Sequence, residues 1–401
     1  MGARVSVVGV GADGWGGLAQ ASREVVLRAD VLLGGERHLQ LVPDSPAVRE
    51  PWPSPLLPSL PGLLARYDGR RVVVLASGDP LVSGIATEIV ALLGPSQVEV
   101  HPAPSSVSLA RARLGWSAES SDVVTLVGRD PDALRRYFSP GRRLLVLSSD
   151  GSTPFLVAAM LVQEGYGESR LSVLGDLGSD AESRTDGTAA SWRVASAPAL
   201  NVVCVEVLAG PSTRVLATVP GLPDDAFEHD GQITKRDLRA VALSRLAPTP
   251  GELLWDVGAG AGSVSIEWMR TDPRCRAVAV EGVPERVERI RRNAHRLGVP
   301  RLEVRQGSAP AALEGLPTPD AVFVGGAATE DGVLDTCWDR LRPGGRLVAH
   351  AVTRETETAL TAWHEKVGGE LTRVSVEHAE PLGSFTGWRP ARAVVQWAVT
   401  R

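Results

Sequence analysis

Short apolar runs alternate with amphipathic stretches along the first half of the chain. Eight of these runs are rich in β-branched residues and predict strands, at residues 4–10, 30–34, 71–76, 98–101, 123–127, 143–147, 171–174 and 201–208. Strands that are separated by helices indicate an α/β fold with mostly parallel sheets.

The pattern changes between residues 208 and 223. Glycine and proline recur at residues 209–212 and 219–223, and neither a helical nor a strand periodicity continues through them. This composition is typical of a linker, and 401 residues are enough for two domains with separate cores. We therefore predict a domain boundary near residue 211.

The second half begins with a predicted helix. Thr234 resembles an N-cap, Asp237 follows three positions later, and Leu238, Val241 and Leu246 have helical spacing. Seven strands are predicted after this helix, at residues 253–257, 277–281, 302–305, 321–324, 346–351, 371–376 and 393–399. No clear helix separates the last two strands, so we expect them to form an antiparallel edge on a parallel sheet.

The composition limits the class of function. A net charge of -5 and a pI near 5.9 give no electrostatic reason to expect nucleic acid as a partner. No run of apolar residues is long enough to predict a membrane span or a secretion signal, so we expect a cytoplasmic protein. Cys204, Cys275 and Cys337 are far apart and predict neither a disulfide framework nor a metal site.

The stretch from Asp256 to Gly262 carries the clearest chemical signal. A predicted strand enters a glycine-rich turn, Gly258-x-Gly260-x-Gly262, a helix follows, and the next strand ends at Glu281. Backbone amides at a helix N-terminus bind anionic groups, and a carboxylate at the end of the next strand binds ribose hydroxyls. The sequence therefore predicts a nucleoside-cofactor site.

Two cofactors fit such a turn. A dinucleotide calls for the spacing G-x-G-x-x-G, which is not the spacing found here. Asp256, ahead of the first glycine, would order the turn and attract a cation, which favours S-adenosylmethionine over NAD. A turn without a ligand is the third alternative.

Further motifs resemble known families. In the second half, residues 221–227, 232–236, 323–326 and 386–390 resemble the decarboxylating cobalt-precorrin methyltransferases. In the first half, residues 8–11, 75–80 and 102–110 resemble the tetrapyrrole methylases, and Gly34-Gly35-Glu36-Arg37-His38 resembles their corrin C5-methylase branch. The two resemblances follow each other in the order of the fused enzymes of vitamin B12 biosynthesis.

The resemblance implies a fold and an activity for each half. Residues 1–210 are expected to adopt the tetrapyrrole methylase fold with two α/β subdomains, and residues 211–401 a class I, Rossmann-like methyltransferase domain with a seven-stranded sheet. It implies two S-adenosylmethionine sites and a tetrapyrrole (precorrin) substrate. The first half would methylate carbon 5, and the second would methylate carbon 15 and decarboxylate the acetate on carbon 12. Both families also tend to form homo-oligomers.

The resemblance also implies site residues in the first half. Contacts to the cofactor are expected from Ser77, Gly78, Asp79, Val82, Ser105 and Ser106, and Gly11 is expected to line the macrocycle cleft. The alternatives are structural: a β-turn ending at Pro80, a helix cap at Ser105, and a tight turn at Gly11.

In the second half, the implied cofactor contacts are Thr234, Gly258, Ala259, Gly260, Ala261, Gly262, Glu281 and Ala309. Lys235, Arg236 and Arg389 are candidate anchors for substrate carboxylates, and Trp388 is a candidate for stacking on the macrocycle. Solvent exposure without a ligand is the alternative for the three cations. His350 either touches substrate or is a hydrogen-bonded structural residue.

No catalytic triad or carboxylate pair is apparent, and catalytic residues stay unassigned. Transfer of a methyl group to an enamine-like carbon depends mainly on positioning and on exclusion of water. A nucleic-acid methyltransferase is the alternative function, but Gly325-Gly326-Ala327 stands where an Asn/Asp-Pro-Pro-aromatic motif would be needed. A non-catalytic or NAD-binding module is the third hypothesis.

Overall fold

A computed structural model describes residues 5–211 and 213–401. Arg4, where the first predicted strand begins, and Ser212, in the predicted linker, lie outside the described residues. The chain divides into two compact units, of which the first runs up to Arg129 and continues with Pro140–Arg214, while the second comprises Asp130–Ser139 and Val215–Arg401. Among the described helices, none is both long enough and apolar enough to span a membrane.

The first unit contains ten strands and seven α-helices among the described residues. The strands are β1 (Val5–Val10), β2 (Val31–Gly34), β3 (Val48–Pro51), β4 (Val72–Ser77), β5 (Val98–His101), β6 (Asp122–Thr125), β7 (Arg143–Leu147), β8 (Arg170–Gly175), β9 (Ser183–Thr188) and β10 (Asn201–Glu206). The helices are α1 (Gly14–Gly17), α2 (Gln20–Leu27), α3 (Glu36–Leu41), α4 (Leu56–Arg66), α5 (Ala86–Leu93), α6 (Ser106–Leu114) and α7 (Thr153–Gln163).

These strands form two five-stranded sheets, which agrees with the predicted pair of α/β subdomains. The first sheet has the order β3-β2-β4-β1-β5 and is parallel throughout. The second has the order β6-β7-β10-β8-β9, and only the β6–β7 pair is parallel. The prediction of mostly parallel sheets is therefore wrong for the second sheet, because no helix separates β8, β9 and β10 and the chain reverses direction between them.

The second unit continues the numbering. Its helices are α8 (Arg236–Leu246), α9 (Ser263–Thr271), α10 (Pro284–Arg296), α11 (Val333–Arg340) and α12 (Arg354–Val367). Its strands are β11 (Leu253–Val257), β12 (Arg276–Glu281), β13 (Glu303–Gln306), β14 (Ala321–Val324), β15 (Arg346–Ala351), β16 (Glu370–Val374), β17 (Glu377–Leu382), β18 (Phe385–Pro390) and β19 (Val394–Thr400).

A seven-stranded sheet with the order β13-β12-β11-β14-β15-β19-β16 confirms the predicted architecture of the second half. β19 lies between β15 and β16 and is antiparallel to both. The last two predicted strands, β16 and β19, thus form the expected antiparallel edge of the sheet, in which β19 is reversed while β16 runs in the same direction as β15. Between β16 and β19 the chain forms a separate hairpin, β17–β18, which the sequence pattern did not predict.

The sheet of the second unit carries helices on both faces. One apolar core contains Ala242 of α8, Ile266 of α9 and Ile290 of α10, and the other contains Leu334 of α11 and Leu360 of α12. Burial on both faces explains why the central strands read as nearly continuous apolar runs. It also fixes the strands so that the carboxyl ends of the parallel ones meet at one edge, where open α/β sheets bind ligands.

Candidate functional site

A cavity of about 1200 Å³ lies at the carboxyl edge of the second unit's sheet. We call it the second-unit cavity. It is bordered by the start of α8 and by the segments that follow β11, β12, β14 and β15. Eight predicted site residues line it, namely Thr234, Lys235, Arg236, Gly258, Ala259, Gly260, Glu281 and Ala309.

The glycine turn has a backbone that only glycine adopts easily. Gly258, Gly260 and Gly262 have φ angles of 72°, 59° and 74°. A Cβ at Gly260 would lie 2.9 Å from the carbonyl oxygen of Gln232, and one at Gly262 would lie 2.8 Å from a methyl group of Ile290. These glycines are therefore required by conformation and by close packing alike.

Two members of the predicted turn do not line the cavity. Ala261 is buried in the core beneath the turn, and Gly262 is the N-cap of α9. Their part in the site is to shape the turn, while Gly258, Ala259 and Gly260 face the cavity.

Glu281 connects the turn to the end of β12. Its side chain is buried, and its two carboxylate oxygens accept hydrogen bonds from the N–H of Gly260 at 2.8 Å and from the N–H of Val283 at 3.0 Å. Because Glu281 also lines the cavity, its carboxylate is held at the position where a ribose would be bound.

Asp256 has a structural role, of which the sequence predicted only the ordering of the turn. Its buried carboxylate accepts hydrogen bonds from the N–H of Ser265, at 3.0 Å, and from the Ser265 hydroxyl, so it orders the first turn of α9. Burial raises the pKa of Asp256 to about 6, against the opposing hydrogen bonds from Ser265. Asp256 does not line the cavity, so the expected attraction for a cofactor's cationic group is not supported.

The start of α8 differs from the prediction by one residue. The N-cap is Lys235, its side chain makes no capping hydrogen bond, and Thr234 precedes it. The carbonyl oxygen of Thr234 instead accepts a hydrogen bond from Arg239, which is fully buried.

Arg239 and Glu267 form a buried ion pair that the sequence analysis missed. Nε of Arg239 donates to Glu267 at 2.6 Å, and its other nitrogens donate to Asp224 and to the carbonyl oxygen of Leu222. Glu267 also accepts the N–H groups of Gly221, at 2.6 Å, and of Leu222, at 3.0 Å. The pair therefore explains the motif at residues 221–227, which it holds against α8 and α9.

A sequence signal for this pair exists. Arg239 shares the helical spacing of the buried residues Ala242, Leu243 and Leu246 of α8, so a cation occupies the apolar face of the helix. A charged side chain at such a position requires a buried partner.

The predicted substrate anchors at the start of α8 are both exposed. Nζ of Lys235 lies 3.6 Å from the carboxylate of Asp224. Arg236 forms no ion pair within the described chain. Both side chains line the cavity and carry positive charge there.

His350 also lines the second-unit cavity. Its Nε2 lies 2.9 Å from Oε1 of Gln396, and its ring meets Phe323 edge-on with the centroids 5.1 Å apart. Burial lowers the pKa of His350, so the ring is neutral at pH 7. Nε2 of His350 is thus held in a hydrogen bond within the protein, as expected of a structural residue, while the ring also borders the cavity.

Trp388 and Arg389 lie on β18, outside the lining of the cavity. Trp388 is 72% exposed, and Arg389 pairs with Glu380 across the hairpin at 2.9 Å. The cavity is instead lined by His378, at the base of β17, and by Arg392, neither of which was predicted.

A second cavity, of about 480 Å³, lies in the first unit. We call it the first-unit cavity. All seven predicted site residues of this half line it, namely Gly11, Ser77, Gly78, Asp79, Val82, Ser105 and Ser106. The structural alternatives are present at the same positions, because Ser105 caps α6 by accepting the N–H of Ser108 at 3.0 Å and Asp79 accepts the N–H of Leu81 at 2.9 Å.

The first-unit cavity also contains Arg37 and His38, which the sequence analysis assigned to a motif but not to a site. Nε2 of His38 lies 3.1 Å from the Ser77 hydroxyl and 3.2 Å from a guanidinium nitrogen of Arg37. Since arginine only donates, Nε2 is an acceptor and the proton of the neutral ring is on Nδ1. Burial, assisted by the charge of Arg37, lowers the pKa of His38 to about 4.

One group of side chains in the described chain has the spacing of metal ligands. Asp130, Asp132 and His295 of the second unit lie close together, outside the second-unit cavity. Asp132 is already paired with His295 at 3.0 Å and with Arg135 at 2.7 Å, so we assign these residues to an ion-pair cluster.

Comparisons with known proteins cover both halves. The family model for tetrapyrrole (corrin/porphyrin) methylases matches residues 4–192, and that for the precorrin methyltransferase domain matches residues 225–401. Two similar relatives are named precorrin-6Y C(5,15)-methyltransferase (decarboxylating). The one from a Sinorhizobium species is 46% identical over 99% of this chain and 96% of its own length. The one from Mycobacterium tuberculosis is 45% identical over 99% of this chain and 100% of its own.

Among solved structures, the C-terminal domain of precorrin-6Y C5,15-methyltransferase from Rhodobacter capsulatus is similar to part of this chain. It is 48% identical, covers 46% of this chain and 100% of its own, and has a TM-score of 0.44.

Proposed function

This chain belongs to the family of decarboxylating precorrin-6Y C5,15-methyltransferases, and on that premise we propose that it methylates a precorrin at carbons 5 and 15 and decarboxylates the acetate on carbon 12. The observation that carries the proposal is the extent of the similarity. It covers 99% of this chain and nearly all of each relative, so both halves and their order are included. The comparisons favour this function over a nucleic-acid methyltransferase.

We assign carbon-5 methylation to residues 1–210, with one S-adenosylmethionine in the first-unit cavity. The clustering of all the implied residues around that cavity supports the assignment. Ser77 is the last residue of β4, and Gly78 and Asp79 follow it at the carboxyl edge of a parallel sheet. Ser105 caps α6 beside them, and Ser106 is its first residue. Gly11 would contact the macrocycle.

We assign carbon-15 methylation and decarboxylation to residues 211–401, with a second S-adenosylmethionine against the glycine turn. The residues present fit this ligand. A side chain at Gly258 or Gly260 would crowd the turn, and the carboxylate of Glu281 is held beside it. The second-unit cavity also exceeds the volume usual for one small ligand, which leaves room for part of a macrocycle.

When bound, S-adenosylmethionine supplies an electrophilic methyl group on a sulfonium. The residues of this chain would bind and orient the two reactants. Glu281 would hold the ribose, and the carbonyl and amide groups at Thr234 and Ala309 would border the nucleoside. Lys235 and Arg236 would hold substrate carboxylates in place. The exposed ring of Trp388 and the guanidinium of Arg389 would contact the part of the macrocycle that the cavity does not enclose.

The decarboxylation needs an electron acceptor within the substrate. The carbon–carbon bond to the carboxylate breaks, its electron pair moves into the iminium system of the macrocycle, and carbon dioxide leaves. A proton then replaces the lost carboxyl group. Walls that exclude water would assist this step, because desolvation destabilises the carboxylate relative to the less polar product.

Mass spectrometry tests the proposal directly. The full chain is incubated with precorrin-6B and S-adenosylmethionine, and the product is expected to gain two methyl groups and lose one carbon dioxide. The variant Glu281→Gln, altered only in the second-unit cavity, is expected to yield a product with one added methyl group and all its carboxyl groups. An unchanged substrate mass with the unaltered chain would contradict the proposal, and so would binding of NAD in place of S-adenosylmethionine.

The proposal also includes the physical state of the protein. We propose a cytoplasmic homo-oligomer that does not bind nucleic acid, which is consistent with its net charge of -5. Light scattering after size exclusion tests the oligomeric state, and a gel-shift assay with RNA tests the absence of nucleic-acid binding.

A further inference from the structure

The reversed direction of β19 brings an unassigned arginine to the second-unit cavity. Val395, near the start of β19, pairs with Ala351, the last residue of β15. The residues that precede β19 therefore emerge at the carboxyl edge of the parallel strands, where the glycine turn also lies. Arg392, two residues before β19, lines the cavity and is exposed to solvent.

Arg392 differs from most other cations of this cavity in having no acidic partner. Arg286 donates to Asp230 at 2.9 Å, and Lys235 lies 3.6 Å from Asp224. Within the described chain, Arg392 and Arg236 are the cations of the cavity lining that form no ion pair. An unpaired guanidinium in a concave site is free to bind an anion from solution.

Within the described chain, no acidic side chain of the cavity lining forms an ion pair with Arg392. Asp224 binds Arg239, and Glu281 accepts backbone N–H groups. Asp237 belongs to the first turn of α8, where a helix favours negative charge. Glu330 lies in the loop before α11, and no ion pair joins it to Arg392 in the part of the chain that the structure describes.

We propose that Arg392 is a positioning residue that binds a carboxylate of the tetrapyrrole in the second-unit cavity, with Arg236 as the second anchor. The inference rests on the proposed function and extends it to a residue not implied by the sequence. A planar guanidinium binds a carboxylate through two parallel hydrogen bonds, and precorrins carry several acetate and propionate groups. Two anchors on separate elements, α8 and the segment before β19, fix the rotation of the macrocycle in its plane. That rotation decides which ring carbon meets the methyl donor.

Steady-state kinetics of the full chain test this assignment. In Arg392→Gln, the KM for the tetrapyrrole is expected to rise roughly 10- to 100-fold, as for loss of a hydrogen bond to a charged group. The affinity for S-adenosylmethionine, measured by calorimetry, should stay within about twofold, because the proposed anchor touches the other reactant. Arg392→Lys keeps the charge but not the planar guanidinium, so its KM for the tetrapyrrole should lie between those of the unaltered chain and Arg392→Gln.

A matched control is available in the same unit. Arg305 on β13 is exposed, forms no ion pair within the described chain, and does not line the cavity. Arg305→Gln removes the same charge and should leave the KM for the tetrapyrrole within about twofold of the original value. An equal rise in KM for both variants would show that only overall charge matters and would overturn the assignment.

The outcomes also separate this inference from the proposed function. If the unaltered chain converts precorrin-6B and Arg392→Gln has an unchanged KM, the anchor is refuted and the function stands. If the unaltered chain transfers no methyl group, the proposed function is refuted, and the anchor that rests on it is refuted with it. A loss of cofactor affinity in Arg392→Gln would move the residue to the cofactor and likewise overturn the anchor.

Discussion

The buried pair of Arg239 and Glu267 offers a sharp test of how the second unit is held together. The substitution Glu267→Gln keeps the shape of the side chain and removes its charge. Glu267 is 2% exposed and accepts hydrogen bonds from Arg239 and from two backbone N–H groups. In the variant, the amide nitrogen would face one of these donors, so at least one hydrogen bond is replaced by a donor–donor contact.

The magnitude follows from burial. A hydrogen bond to a charged group contributes about 1.5–3 kcal/mol to stability. The variant would also leave the fully buried guanidinium of Arg239 with only the partly exposed carboxylate of Asp224 as an ionic partner. Loss of one partner of a buried ion pair typically costs about 3–5 kcal/mol, and we expect a loss of unfolding free energy in that range.

Urea denaturation of the full chain, followed by tryptophan fluorescence, measures this loss in the transition of the second unit. The matched control is Glu357→Gln, which removes the same charge from the exposed pair of Glu357 and Arg373. This control should lose about 0–1 kcal/mol. The reasoning is refuted if the two variants lose similar free energies, since burial would then not be what makes the Arg239–Glu267 pair strong.

Three further predictions concern the two cavities and the glycine turn. Glu281→Gln should weaken binding of S-adenosylmethionine in the second unit at least about tenfold in calorimetry, with an unchanged circular dichroism spectrum, because one acceptor oxygen is lost. Gly262→Ala and Gly315→Ala each place a side chain at a φ of 74°, but only the Cβ at position 262 meets another atom within 4 Å. In thermal unfolding, Gly262→Ala should therefore lose about 1–3 kcal/mol more unfolding free energy than Gly315→Ala. The pKa of His38 falls from 6.5 to about 4 on folding, so the stabilisation from its neutral ring is present above pH 6.5 and is lost as the pH falls towards 4. His38→Gln should therefore flatten the dependence of the unfolding free energy on pH between these values. A pKa near 6.5 for His38 in an NMR titration of the folded chain would contradict this prediction.

The fold was predictable where strands are buried on both faces. β1, β4, β11 and β12 are nearly continuous apolar runs, and each was identified from that pattern. β3, β9 and the β17–β18 hairpin were missed because most of their residues are exposed or only half-buried and show no apolar alternation. The position of β19 between β15 and β16 depends on the path of the chain between strands, which a periodicity does not record.

The site was predictable where the backbone itself demands a residue type. The glycines of the turn and Glu281 occupy positions fixed by φ angles and by a strand end, and both leave a local signal in the sequence. Arg239 and Glu267 are 28 positions apart, and their pairing depends on how α8 packs against α9. Arg392 reaches the cavity only because β19 is reversed, so no local pattern distinguishes it from Arg389.

Two buried carboxylates of the protein hold the glycine turn and the helix that follows it. Asp256 fixes the helix that follows the turn, and Glu281 fixes the N–H of Gly260. Ordering a mobile backbone costs roughly 1–2 kcal/mol per residue, and a ligand that meets a rigid turn does not bear that entropic penalty. Affinity at this edge of the sheet therefore depends partly on Asp256, which does not line the cavity, and a substitution at Asp256 would weaken binding through disorder of the turn and not through a lost contact.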